Sequence, residues 1–299
     1  MLRHILIPLD GAKASESVLP TAVALARRAG ASVTLLHVLE TKAPGSVHGE
    51  RHLVDQTEAE QYLQNLVATF PPDVPACWHV HAPVRHLADS LASHAEDFTA
   101  DLILMCSHGH VRLRDRFVGN LGQRLASEQP APVLLLKTPG APQAAFPFRR
   151  LLAALDGQVE HEACLAPAAE LARLCQAPLT LLGVVATMAS LQNGQLASST
   201  YLPGATAEIL ELQVRQLDEY LRRLAETLTA QDIQAETMVA RGDPARQIIS
   251  AAQARQADVI VLATHGHAGT AAFWAGSVAA KIIHHTDASV LLVPAPPSG

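Results

Sequence analysis

The sequence is written twice, and that repetition constrains the fold more than any other feature. Ile5-Leu-Ile-Pro-Leu-Asp10-Gly11 returns as Leu151-Leu-Ala-Ala-Leu-Asp156-Gly157. The same offset of 146 carries Leu25-Ala-Arg27 onto Leu171-Ala-Arg173 and Thr34-Leu-Leu36 onto Thr180-Leu-Leu182. Further on the offset is 157: Asp101-Leu-Ile-Leu matches Asp258-Val-Ile-Val, and Ser107-His-Gly-His110 matches Thr264-His-Gly-His267. Val133-Leu-Leu-Leu136 then matches Val290-Leu-Leu-Val293. Chance does not produce so many matches in order. The second copy carries eleven extra residues, placed around 186–207.

Each copy alternates short apolar runs with longer amphipathic stretches. The pattern predicts strands over 3–9, 32–39, 76–82, 101–106 and 133–137, with helices over 15–29, 55–69, 85–97 and 119–128. In the second copy strands are expected over 150–155, 178–185, 234–240, 258–263 and 289–293, with helices over 161–175, 205–230, 243–255 and 276–285. Strand runs that are almost wholly apolar suit strands covered on both faces. The fold class read from this is α/β: two tandem doubly wound domains, each a five-stranded, mostly parallel sheet with helices on both faces, Rossmann-like. Thr138-Pro-Gly-Ala-Pro-Gln-Ala-Ala-Phe-Pro147 marks the boundary, giving domains 1–140 and 148–299. That linker is short, so the copies are expected to dock as an intrachain pseudo-dimer. The inserts at 41–54 and 186–204 read as mobile loops.

A length of 299 residues suits two cores of ordinary size. A net charge of −6 carries no whole-chain footprint for nucleic acid. No apolar run is long enough to span a bilayer, so no membrane contact and a cytoplasmic location are the expectations. Cys77, Cys106, Cys164 and Cys175 read as buried thiols rather than a disulfide framework.

Ligands of a doubly wound sheet bind beyond the carboxyl ends of its strands. Two features converge there in each copy. Asp10-Gly11 and Asp156-Gly157 end the opening strand; such a carboxylate can accept hydrogen bonds from ribose or adenine, or simply cap a turn. After the fourth strand, Thr264-His265-Gly266 is followed by nine residues and then Gly276-Ser277 and a helix. The first copy has Ser107-His108-Gly109, nine residues, then Gly119-Asn120. Glycine admits close backbone approach, a helix start offers free N–H groups, and Ser277 can donate its hydroxyl to phosphate.

That pattern, together with the opening and closing strands of both halves, resembles the ATP-binding motif of the universal stress protein family. The resemblance implies the adenine nucleotide alpha hydrolase-like fold and an adenine nucleotide ligand, namely ATP, AMP or ADP, with magnesium as an accompanying ion. It implies that Asp156 and Val184 flank the nucleoside, and that Gly266, Gly276 and Ser277 hold ribose and phosphates. Gly157, Thr264, His265 and Val278 complete the expected site. A weaker site is expected from Asp10, Gly11, Val38, Ser107, Gly109, Gly119 and Asn120. The first glycine of the family motif is Cys106 in one copy and Ala263 in the other, and Asn120 replaces the serine. Gly242 is kept in the second copy, where the first has Ala82-Pro83. The second copy is thus the better nucleotide site. By resemblance, Val133–Leu136 and Val290–Val293 pair within the chain, with room for a homodimer and for an unidentified protein partner.

Fifteen histidines include His79-x-His81, His108-x-His110, His265-x-His267 and His284-His285. No Cys-x-x-Cys or His-Glu-x-x-His accompanies them, so no metal site is expected. No P-loop, Gly-x-Ser-x-Gly elbow or catalytic cysteine arrangement is present either. The expected function is a nucleotide-dependent stress-response regulator, without catalytic residues and at most a slow ATP hydrolase. The alternative is a scaffold, or a binder of a small apolar ligand, with the same fold.

Overall fold

A computed structural model of the chain describes residues 1–41, 46–47, 50–51, 53–84, 87–107, 131–137, 146–188, 203–265 and 278–296. In the first repeat, apolar runs form β1 (His4–Pro8), β2 (Ser32–Glu40), β5 (Ala76–Val84), β6 (Leu102–Ser107) and β7 (Val133–Lys137). Between them lie α1 (Lys13–Glu16), α2 (Leu19–Ala29), α3 (Gln56–Val67) and α4 (Leu87–Asp97). The strands stand in the order β5-β2-β1-β6-β7, every neighbour parallel. Ile5, Leu6, Ile7, Leu35, Leu36, Ile103, Leu104 and Leu134 are wholly buried in this sheet. Edge strand β5 is only half covered, and none of its described side chains is fully buried.

The second repeat supplies β8 (Leu151–Leu155), α5 (Leu165–Cys175), β9 (Leu179–Val185), α6 (Pro203–Thr229), β10 (Ala235–Arg241), α7 (Pro244–Arg255), β11 (Val259–His265), α8 (Val278–His285) and β12 (Ser289–Ala295). Its parallel strands run β10-β9-β8-β11. The chain clusters into two compact units, one built on Met1–Pro147 and the other on Phe148–Ala263. Ser289–Pro294 belongs to the first unit, where β12 runs antiparallel to β7 with Val290 opposite Leu135 and Leu292 opposite Val133. This is the pairing that the resemblance implies.

Both sheets share a device at the start of their first strand. Asp101 accepts the backbone N–H groups of Arg3 and His4 at 2.8 and 2.9 Å. Its repeat, Asp258, accepts those of Arg149 and Arg150. Two helix starts carry side-chain caps: Asp55 accepts from Glu58 N at 2.9 Å, and Asp243 from Arg246 N at 3.0 Å with Pro244 next to it.

Three expectations need correction. The helix read over 15–29 is two pieces, α1 and α2. Pro20 lacks the N–H that a continuous helix needs, so the helix restarts at Leu19 with Pro20 in its first turn. The second copy repeats this: Val159–Cys164 is a 3-10 turn, and α5 starts at Leu165 with Pro167 in its first turn. The insert at 41–54 holds a short antiparallel ladder, β3 (Ser46–Val47) on β4 (Glu50–Arg51), and ends at the buried Leu53. Cys77 is exposed, being on the edge strand, although all four thiols are free and the other three are buried. The helix read over 119–128 and the insert residues 189–202 lie outside the described residues.

Candidate functional site

Where strand order reverses, adjacent strands send their connections to opposite faces and a crevice opens at their carboxyl ends. In the first repeat the reversal falls between β1 and β6, and in the second between β8 and β11. Asp10-Gly11 follows β1 after Leu9, and Asp156-Gly157 follows β8 directly. Both aspartates close an Asx turn: Asp10 Oδ1 accepts from Ala12 N at 2.9 Å, and Asp156 Oδ1 from Gln158 N at 3.1 Å. The glycines after them have φ of +92° and +86°, which an L side chain rarely adopts.

The two crevices differ. In the first, a Cβ added at Gly11 would stand 2.7 Å from Leu53 Cγ, so Leu53 lies on the turn. His37 Nδ1 lies 2.7 Å from the Leu9 carbonyl and Nε2 3.2 Å from that of Leu53. Val38 and Ser107 are buried. In the second, the Asp156 side chain is 47% exposed, and its Oδ2 lies 2.8 Å from His161 Nδ1. Val184 is half-buried. Leu217 of α6 packs on the β9 backbone: a Cβ at Gly183 would stand 2.5 Å from it, one at Gly157 3.7 Å.

Of the remaining expected residues, Thr264 is buried, with its hydroxyl 3.4 Å from the Val293 carbonyl, and Val278 is exposed at the start of α8. His265 ends β11. Gly109, Gly119, Asn120, Gly266, Gly276 and Ser277 lie outside the described residues.

The structure adds a feature that the sequence reading missed. Tyr62 donates to Glu16 at 3.3 Å, and Tyr220 to Glu162 at 2.9 Å, tying α3 and α6 to the turn after the opening strand. Burial, then the paired carboxylate, raises both phenols above their ordinary range. Burial also pushes the Cys106 and Cys164 thiols up to about 12, Cys164 with a smaller push from Asp156. Glu16 and Glu162 stand at the 146 offset, which was the one available signal.

A second grouping lies elsewhere, on β5 and α4. His79 and His81 point to the same side of the strand, and His94 comes to them from the helix, 13 residues beyond His81 in sequence. Their nearest nitrogens all lie within 4.8 Å of one another. The sequence reading paired His79 with His81 but left out His94, since an isolated histidine on an amphipathic helix carries no spacing signal.

A family model described as universal stress protein family matches residues 1–137 and again 147–294. The chain belongs to the universal stress protein family. It is a tandem member. Universal stress protein YxiE of Bacillus subtilis is 29% identical over 147 residues, which span 49% of this chain and 99% of that protein. A universal stress protein from Archaeoglobus fulgidus superimposes with a TM-score of 0.68 at 16% identity, over 98% of this chain and 96% of that one. The cytoplasmic domain of a prokaryotic cation chloride cotransporter does so with a TM-score of 0.56 at 15% identity, over 98% and 95%. These two likenesses speak to fold alone.

Proposed function

We propose that this universal stress protein is a regulator that binds ATP or a related adenine nucleotide, chiefly in its second repeat. The observation that carries the reading is Asp156, a half-exposed carboxylate at the strand-order reversal, held by Gln158 N–H and His161. Such an oxygen is placed to accept hydrogen bonds from ribose hydroxyls or an adenine amino group. Gly157 and Val184 would stand against the nucleoside. Gly266, Gly276 and Ser277, by their family resemblance, would take ribose and phosphates. Magnesium would ride with the phosphates; no acidic cluster is needed to hold it. The role proposed for these residues is binding rather than chemistry.

Thermal unfolding with and without millimolar ATP tests this. A rise in Tm is expected, and Gly276→Asp should abolish it by placing a carboxylate against phosphate. An unchanged curve, with no nucleotide released from the denatured protein in mass spectrometry, would overturn the reading. Leu217 favours a second reading, a scaffold without nucleotide, because it covers the backbone between Gly157 and Gly183. Release of an apolar molecule in the same mass spectrum would favour that one.

A further inference from the structure

We propose that His79, His81 and His94 form a binding site for a zinc-class divalent transition metal on β5 and α4 of the first repeat. The argument is independent of the nucleotide reading. It starts from His94, which is 7% exposed and has no hydrogen-bond partner at either ring nitrogen. A buried polar group left unsatisfied costs about 1–3 kcal/mol. Imidazoles that serve only the core usually find a carbonyl or hydroxyl, as His4 does here with Phe98 O at 2.7 Å and Thr34 Oγ1 at 2.8 Å. His94 instead faces two more imidazoles, with ring centroids 4.3 Å from His81 and 5.4 Å from His79.

Three imidazoles crowded together repel one another once charged, whereas as neutral rings they offer three lone pairs. Burial, then His81 and His79, lowers the affinity of His94 for a proton, against a smaller opposing pull from Asp97. The neutral ring is the form that binds metal. Zinc bonds of about 2.0–2.1 Å place tetrahedral nitrogens about 3.4 Å apart, so a small rotation of each side chain closes the set from its present spacing. Asp97 Oδ2 lies 3.7 Å from His94 Nδ1, beyond hydrogen-bond distance, so a rotation of its exposed side chain is what would bring it onto the ring as an outer partner. Edge strand β5 leaves His79 and His81 half-exposed, which provides an entry path and a fourth position for water. Imidazole ligands select zinc, copper or nickel over magnesium or calcium.

The other repeat shows that the fold does not require these histidines. Leu36 and Val38 of β2 face His79 and His81, while their counterparts Leu182 and Val184 of β9 face Met238 and Ala240. The residue at the place of His94 is Ala251. The same architecture is thus built with three apolar side chains in one copy and three imidazoles in the other.

The test uses the full chain, freed of metal by a chelator and titrated calorimetrically with Zn²⁺, with Co²⁺ absorption as a second readout. One strong equivalent and a visible cobalt band of low coordination number are expected. His79→Asn and His81→Asn, at half-exposed strand positions that tolerate change, should each weaken that equivalent at least tenfold and lose the band. His94→Asn should do the same, and His284→Asn should not. Absence of a strong equivalent, or full affinity in both strand variants, overturns the proposal.

Discussion

His161 Nδ1 lies 2.8 Å from Asp156 Oδ2, and the place of His161 in the first repeat is taken by Ser15, whose hydroxyl instead donates to the Ala12 carbonyl at 2.8 Å. The aspartate that ends the opening strand is therefore held from two sides in the second copy, by a backbone N–H and by an imidazole.

An acceptor fixed in this way binds a ligand hydroxyl with less ordering cost than a free one. We expect Asp156→Ala to remove the ATP-induced rise in Tm, and Asp10→Ala to leave it in place. His161→Ala should weaken ATP by roughly 3–10-fold, about 0.7–1.4 kcal/mol, through loss of that positioning. Calorimetric titration of the three variants measures this; a tighter complex in His161→Ala would show that the imidazole competes with the ligand instead.

Much of the architecture was legible because strand burial and duplication leave periodic marks. Strands over 133–137 and 289–293 were readable from their apolar runs alone, and the structure has them at Val133–Lys137 and Ser289–Ala295. The breaks before Leu19 and Leu165 were hidden, because amphipathic spacing continues through them and only the prolines signal the restart. The Tyr62–Glu16 and Tyr220–Glu162 ties span 46 and 58 residues, and no local pattern links residues so far apart. His94 was invisible as a partner of His79 and His81 for the same reason. The Asp-Gly turns were found, yet the sequence could not show that Leu53 and Leu217 lie on them. Those leucines come from inserts and helices whose packing is a tertiary matter.

Helix ends offer a paired test of backbone strain. Gly30 closes α2 at φ +66°, and an added Cβ would meet nothing within 4 Å. Gln256 closes α7 with φ of 53° and carries a side chain there. A left-handed residue other than glycine costs about 1 kcal/mol. Gly30→Ala should lower stability by about that amount, and Gln256→Gly should raise it by about 0.5–1 kcal/mol. Urea midpoints at constant slope check both signs.

Gly183 tests the packing of α6 on β9. An alanine there would press on Leu217, costing about 1–3 kcal/mol, while Leu217→Ala alone leaves a cavity costing about 2–5 kcal/mol. The double variant should be more stable than the sum of the two losses, because the new methyl enters the vacated space. A double-mutant cycle with zero coupling would show that the two residues do not share that space.

The buried thiols make stability fall in alkali. A thiol whose folded value is raised keeps its proton in the folded state after the unfolded chain has lost it. Folding then binds the extra proton, and stability declines as pH climbs. For Cys106 and Cys164 the window runs from the ordinary value near 9 up to about 12. Tyr62 and Tyr220, also raised, act in the same direction at the upper end. Urea midpoints should therefore drop between pH 8 and pH 10.5, and Cys106→Ala and Cys164→Ala should each flatten that drop. Alkylation gives a second readout, since a buried thiol with its proton in place reacts slowly. Iodoacetamide at pH 8 should label exposed Cys77 and spare Cys106, Cys164 and Cys175 until urea is added. Rapid labelling of Cys164 in the native protein would mean that the turn after β8 opens readily, and that Asp156 is held less firmly than its two hydrogen bonds imply.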